Sequence, residues 1–183
     1  MTKFDITPQQ EKELLQQFFD LSRNTLFDYF EERDLNFSNS QLFAFILVSP
    51  ITIAIASDGN VDFTETTMLV DIASYFERGI LPTELDSLGQ PVDCLSDKEF
   101  CKMIYSELRF LCLSMPRFEK RLLDCIKALI RLDETLSRNS DPKYSIKKRV
   151  VQMMNSVIYN NLGTDSIEEK KISHVLNELN LNA

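Results

Sequence analysis

The chain has 183 residues, 44% of them apolar, with 20 Lys and Arg against 28 Asp and Glu for a formal net charge of −8. Four glycines and six prolines are too few for the turns of an all-β sandwich or barrel, and the glycines never cluster into a phosphate-cradling loop. The single histidine, His174, excludes an H-E-x-x-H site, a His-rich zinc site and a paired E-x-x-H di-iron site.

Helix signals dominate the pass along the chain. Thr7-Pro8-Gln9-Gln10 reads as a capping box with Pro at the first helical position, opening a helix expected to run to about Arg33 with Leu14, Phe18, Leu21, Leu26, Tyr29 and Phe30 inward. Ser38-Asn39-Ser40-Gln41 is a second capping box. It opens the run Leu42 to Ala56, which carries no charge over 15 residues. A membrane-spanning helix needs about 20 residues, so a helix buried on all sides explains this run better. Pro50 interrupts it and is expected to kink it.

Gly59 is placed to terminate that helix, and Asp62-Phe63-Thr64-Glu65 has the capping-box spacing for the next, with Met68, Leu69, Ile72 and Phe76 inward. Residues 79–96 are broken by Pro82, Gly89 and Pro91; they read as a connector with one short helical turn at Thr83 to Leu88. Ser96-Asp97-Lys98-Glu99 starts a further helix, and Pro116 marks the next. Asn139 to Pro142 is a turn. A helix from about Lys143 buries Ile146, Val150, Met153 and Val157, and one from Asp165 buries Ile172, Val175, Leu176 and Leu179. The fold class is therefore all-α, about seven helices plus a short one. Phe18, Phe43, Phe45, Phe76, Phe100 and Phe118 are core candidates. Residues 1–35 form an N-terminal helix packed on residues 36–183, one folding unit overall.

Charge is uneven: residues 1–93 hold 5 basic and 16 acidic side chains, residues 94–183 hold 15 and 12. The basic residues of the second half gather in Arg117, Lys120, Arg121, Lys127 and Arg131, and again in Lys143, Lys147, Lys148 and Arg149. Two solvated helix faces are the simplest reading; an anionic membrane surface facing Lys143 to Arg149 is the alternative. So acidic a chain is not expected to bind nucleic acid. No two of Cys94, Cys101, Cys112 and Cys125 are spaced as a redox or zinc motif, and Met1 to Ile6 lacks a basic region followed by an apolar core. Reduced cysteines in a cytoplasmic protein are expected.

The segment Ala54-Ile55-Ala56-Ser57-Asp58-Gly59-Asn60-Val61-Asp62-Phe63-Thr64-Glu65 joins an apolar helix end to Asp-Gly and then to an acidic cap with Glu three residues on. It resembles the TerB-like family of tellurite-resistance proteins, whose domain recurs in similar form in membrane-tethered DnaJ-like co-chaperones. The resemblance implies an all-α pseudo-duplicate of about seven helices over residues 36–180. It also implies a part in stress responses to metalloid oxyanions, phage or DNA damage, and metal binding by acidic residues near this loop. A weaker second copy falls at Ala128 to Ser137, where Asp133 matches Asp58, Glu134 replaces the glycine and Ser137 the acidic cap.

Read as chemistry, Asp58, Asn60, Asp62 and Glu65 offer oxygen ligands to a hard divalent cation such as Ca²⁺ or Mg²⁺. They are not an EF-hand, because the positions that need glycine and a bidentate Glu hold Phe63 and Leu69. The competing reading assigns Gly59 to a left-handed C-cap and Asp62 and Glu65 to a capping box. No catalytic residues and no organic cofactor are expected. The expected function is a non-enzymatic binding module, cation-dependent through this loop. The alternatives are a metal-free protein-interaction or scaffold domain, whose apolar residues form a groove for a partner helix, and a peripheral membrane domain.

Overall fold

A computed structural model of the chain describes residues 6–77, 81–89, 91–136, 145–160 and 166–181, with residues 58, 77, 158–160 and 166–168 described by their backbone alone. The described residues are all-helical, without a strand. The helices are α1 (Pro8–Thr25), α2 (Phe27–Arg33), α3 (Asn39–Ile55), α4 (Phe63–Glu77), α5 (Asp97–Leu113), α6 (Met115–Leu136), α7 (Ile146–Asn160) and α8 (Ser166–Glu178). Two 3₁₀ segments, Ala56–Asp58 and Thr83–Leu88, complete the chain order.

Local capping chemistry sets most starts. Reciprocal capping boxes open α1 (Thr7 with Gln10), α3 (Ser38 with Gln41) and α5 (Ser96 with Glu99), satisfying backbone N–H groups that a helix start leaves without partners. The single N-terminal helix expected to reach Arg33 is instead two. Thr25 turns its hydroxyl back onto the Leu21 carbonyl at 2.8 Å, and Leu26 leaves helical geometry at φ −98°, ψ 12°. The inward stripe of α1 also differs from expectation. Leu15, Phe18, Phe19 and Ser22 face the core from α1, while Leu21, expected inward, is 53% exposed. Leu26 and Tyr29 are then buried completely.

Helix α3 is the axis of the fold. It packs against α1, α5, α6, α7, α8 and the Thr83–Leu88 segment, so its apolar residues are covered along nearly all of its surface. Every residue from Asn39 to Ile55 is buried except Phe43 and Leu47. Pro50 stays within the helix; it withholds the N–H that the Ile46 carbonyl would accept, and the Ser49 hydroxyl donates to that carbonyl instead at 2.7 Å.

The N-terminal end of α3 is buried and polar, and the connector seals it. Asp86 accepts from both the backbone N–H and the hydroxyl of Ser40, each at 2.8 Å. Asn39 donates to the carbonyls of Leu85 and Gly89 and accepts from Arg23; Gln41 donates to the Leu95 carbonyl and to Asp97. A carboxylate at the first turn of a buried helix complements its dipole as well as its N–H groups.

Tyr29, Phe37, Phe45, Phe100 and Phe118 stack edge-on or tilted at centroid distances of 5.2–5.5 Å through the centre of the core. Beside them Glu107, 2% exposed, accepts from Tyr29 Oη (3.1 Å), Arg33 Nε (3.0 Å) and Arg33 Nη2 (2.8 Å), tying α2 to α5. Burial, then the Glu107 charge, pushes the Tyr29 hydroxyl well above its ordinary range. Two core expectations shift: Met154, not Met153, is the buried methionine of α7, and Phe43 is only partly buried. The expected terminators Gly79 and Gly163, the Asn139 to Pro142 turn and the start at Asp165 lie outside the described residues.

Candidate functional site

Two regions compete for function, and they share α3 and α4. The first is the loop that joins those helices. The 3₁₀ turn Ala56–Asp58 ends at Gly59 with φ +83°, a left-handed conformation that suits glycine, and the Gly59 N–H donates to the Ala56 carbonyl at 3.2 Å. Asp62 and Glu65 form the expected reciprocal box: the Glu65 N–H donates to Asp62 Oδ1 and the Asp62 N–H to Glu65 Oε2, both at 2.8 Å. Asn60 and Asp62 are exposed, whereas Glu65 is 2% exposed. Asp58 is described by its backbone alone. Thus one oxygen of Asp62 and one of Glu65 already serve the start of α4. Burial, reinforced by the Glu65 charge, pushes the Cys112 thiol up to about 12. Among the described residues no group of three or more His, Cys, Asp or Glu side chains is gathered as metal ligands.

Asp133, the counterpart of Asp58 in the weaker second copy, has a different task. From near the end of α6 its Oδ2 accepts the Ile146 N–H at 2.9 Å, which caps the first turn of α7 across a chain separation of 13 residues. The basic cluster on α7 is divided as well. Lys143 lies outside the described residues, Lys147 pairs with Glu134 of α6, and Lys148 is exposed. Arg149, also exposed, belongs to the second region.

That second region is an apolar groove. Helix α4 packs chiefly on α5, and α7 packs on α3, which leaves a strip of α3 between α4 and α7 uncovered. Phe43, Leu47 and Ile51, spaced at i, i+4 and i+8, line that strip with Ala44 and Val48. Phe43 and Leu47 are the two residues of α3 that escape burial, and the groove is where they do so. Ile72, Tyr75 and Phe76 form the α4 wall, Met153 the apolar part of the α7 wall, and Pro82 closes the lining. The volume is about 580 Å³, within the range of ligand-binding clefts.

Its polar groups are few. Asp71 stands on the α4 wall, and Arg149 and Gln152 on the α7 wall, all three exposed. Neither Asp71 nor Arg149 has an ion-pair partner among the described residues. No family model, curated protein or solved structure matches the chain. No helix among the described residues is long and apolar enough to cross a membrane.

The sequence allows for a groove that takes a partner helix but does not place it. Phe43 and Leu47 have the residue types of core positions in a run buried almost everywhere else, and the apolar period places Ile72 and Met153 inward. The faint signal was the i, i+4, i+8 spacing of Phe43, Leu47 and Ile51, which any core helix also shows. By sequence Arg149 belongs to one basic run with Lys147, yet Lys147 pairs with Glu134 and Arg149 lines the groove.

Proposed function

We propose that this protein is a non-enzymatic binding module of the TerB-like kind that holds an apolar segment of a protein partner in the groove between α3, α4 and α7. The observation that carries the reading is that Phe43 and Leu47 alone among the α3 residues escape burial, inside a cleft whose lining is mostly apolar. Apolar clefts between helices are where an amphipathic helix lays its apolar face. The test is a fluorescence-anisotropy titration with a labelled amphipathic helical peptide. Leu47→Asp is expected to weaken binding at least about tenfold while the protein stays folded, since it removes an anchor contact and leaves a charge to desolvate. Equal binding by wild type and Leu47→Asp would contradict the reading.

A divalent cation at the Ala56 to Glu65 loop is the second reading. It is favoured by the burial of the Glu65 carboxylate at the base of a loop that also presents Asn60 and Asp62. Thermal unfolding with millimolar Ca²⁺ or Mg²⁺ tests it. A cation at 100 times its dissociation constant stabilises by about 2.7 kcal/mol, a shift of several degrees. A shift seen in wild type and lost in Asp58→Asn supports the cation; the same melting temperature with and without either ion removes it.

A further inference from the structure

The groove has chemistry beyond its apolar lining, because its two walls differ in charge. Asp71 projects from α4 and Arg149 from α7, both exposed and neither engaged in an ion pair among the described residues. Several other charged residues at or near the surface do pair: Arg117 with Glu32, Arg121 with Asp28, Lys127 with Glu178 and Lys147 with Glu134. Along α3 the strip from Phe43 to Ile51 covers about 12 Å at a rise of 1.5 Å per residue, room for two to three turns of a second helix.

We infer that the occupant is a short amphipathic helix of a protein partner, with an apolar stripe flanked by acidic side chains on one edge and basic side chains on the other. The apolar stripe, repeating at i, i+4 and i+7, seats on Phe43, Leu47 and Ile51. Its acidic edge lies along α7, where Arg149 offers a planar fork to a carboxylate. Its basic edge lies along α4 and meets Asp71. A helix with like charges on both edges leaves one of them facing its own sign across the rim, which selects against it. The inference rests on the groove being the binding surface, and its chemistry can fail separately from that reading.

Three labelled peptides of 14 residues distinguish the cases. All share one Leu/Ile stripe; their edges are Glu and Lys, Glu and Glu, or Lys and Lys. Turning a helix end for end exchanges its edges, so the mixed peptide fits the groove in one direction or the other. Wild type is expected to prefer the mixed peptide over either uniform one by about fivefold, as rim charges set selectivity more than affinity. Arg149→Glu makes both walls acidic and is expected to shift the preference to the Lys/Lys peptide. Asp71→Arg is expected to shift it to Glu/Glu, and the double variant Asp71→Arg/Arg149→Glu to restore the mixed preference. Both positions are exposed, so the variants are expected to fold, which far-UV circular dichroism checks. If all three peptides bind equally in every variant but Leu47→Asp weakens them all, the charge-defined partner is overturned and the groove stands. If no peptide binds, or Leu47→Asp leaves binding unchanged, both fall.

Discussion

The loop at Ala56 to Glu65 and the groove between α3, α4 and α7 lie on the same two helices and are opposite in kind. The loop is rich in the residue types that ligate ions, yet Asp62 and Glu65 each commit an oxygen to the backbone that starts α4. The groove is poor in such residues, yet its two charges make no ion pair among the described residues and its apolar lining stays accessible. The N-terminal end of α3 repeats the loop's lesson at larger scale: buried Asn39 and Gln41 and half-buried Asp86 hold the connector onto a helix start. In this molecule conspicuous polar clusters serve folding, and the apolar surface left uncovered is assembled from two consecutive helices and a third about 70 residues further along the chain.

If that contrast is right, changes in the groove alter binding and changes in the polar clusters alter stability. Leu47→Asp is the strongest case, with at least about tenfold weaker peptide binding and a melting temperature lowered by no more than a few degrees. Asp86→Ala should do the reverse. It strands the Ser40 N–H in a buried site and leaves the Ser40 hydroxyl only the Ser38 hydroxyl as partner, for a loss of about 2 kcal/mol in denaturant unfolding, with peptide affinity unchanged. Asp62→Ala should cost about 1 kcal/mol through the lost cap, and Asp62→Ser should recover most of it, because a hydroxyl can also accept the Glu65 N–H. An Asp62→Ala variant that lost peptide binding while keeping its stability would break the contrast outright.

The smallest effect belongs to a surface pair away from both regions and serves as a control. Lys127 donates to Glu178 at 2.8 Å and holds that carboxyl below its ordinary range. A carboxyl depressed on folding contributes stability above its unfolded pKa and loses it as the pH falls through the folded value. Both partners are partly exposed, so acid titration below about pH 4.5 should show less than about 1 kcal/mol from this pair, absent in Glu178→Gln.

Much of the fold was legible in the sequence because caps and apolar period agree at most helices. Thr7 with Gln10, Ser38 with Gln41, Asp62 with Glu65 and Ser96 with Glu99 all behave as read. The break at Leu26 was not legible, since no glycine or proline marks it; a threonine side chain and the burial of Leu26 and Tyr29 produce it. Long-range polar partners were also invisible. Glu107 meets Tyr29 and Arg33 across more than 70 positions, and Asp86 meets Ser40 across 46, distances over which no spacing rule operates. The groove is the extreme case, because which apolar residues of α3 stay uncovered depends on where α4 and α7 come to rest.

The most direct measurement is methyl NMR of the wild-type protein titrated with the mixed-edge peptide. Methyl signals of Leu47, Ile51, Ile72 and Met153 are expected to move together and saturate at one affinity, while Val61 in the loop and Val175 in the buried face of α8 stay in place. Saturating shifts at Val61, with Leu47 and Ile72 unmoved, would place binding at the loop and contradict the groove as this protein's working surface.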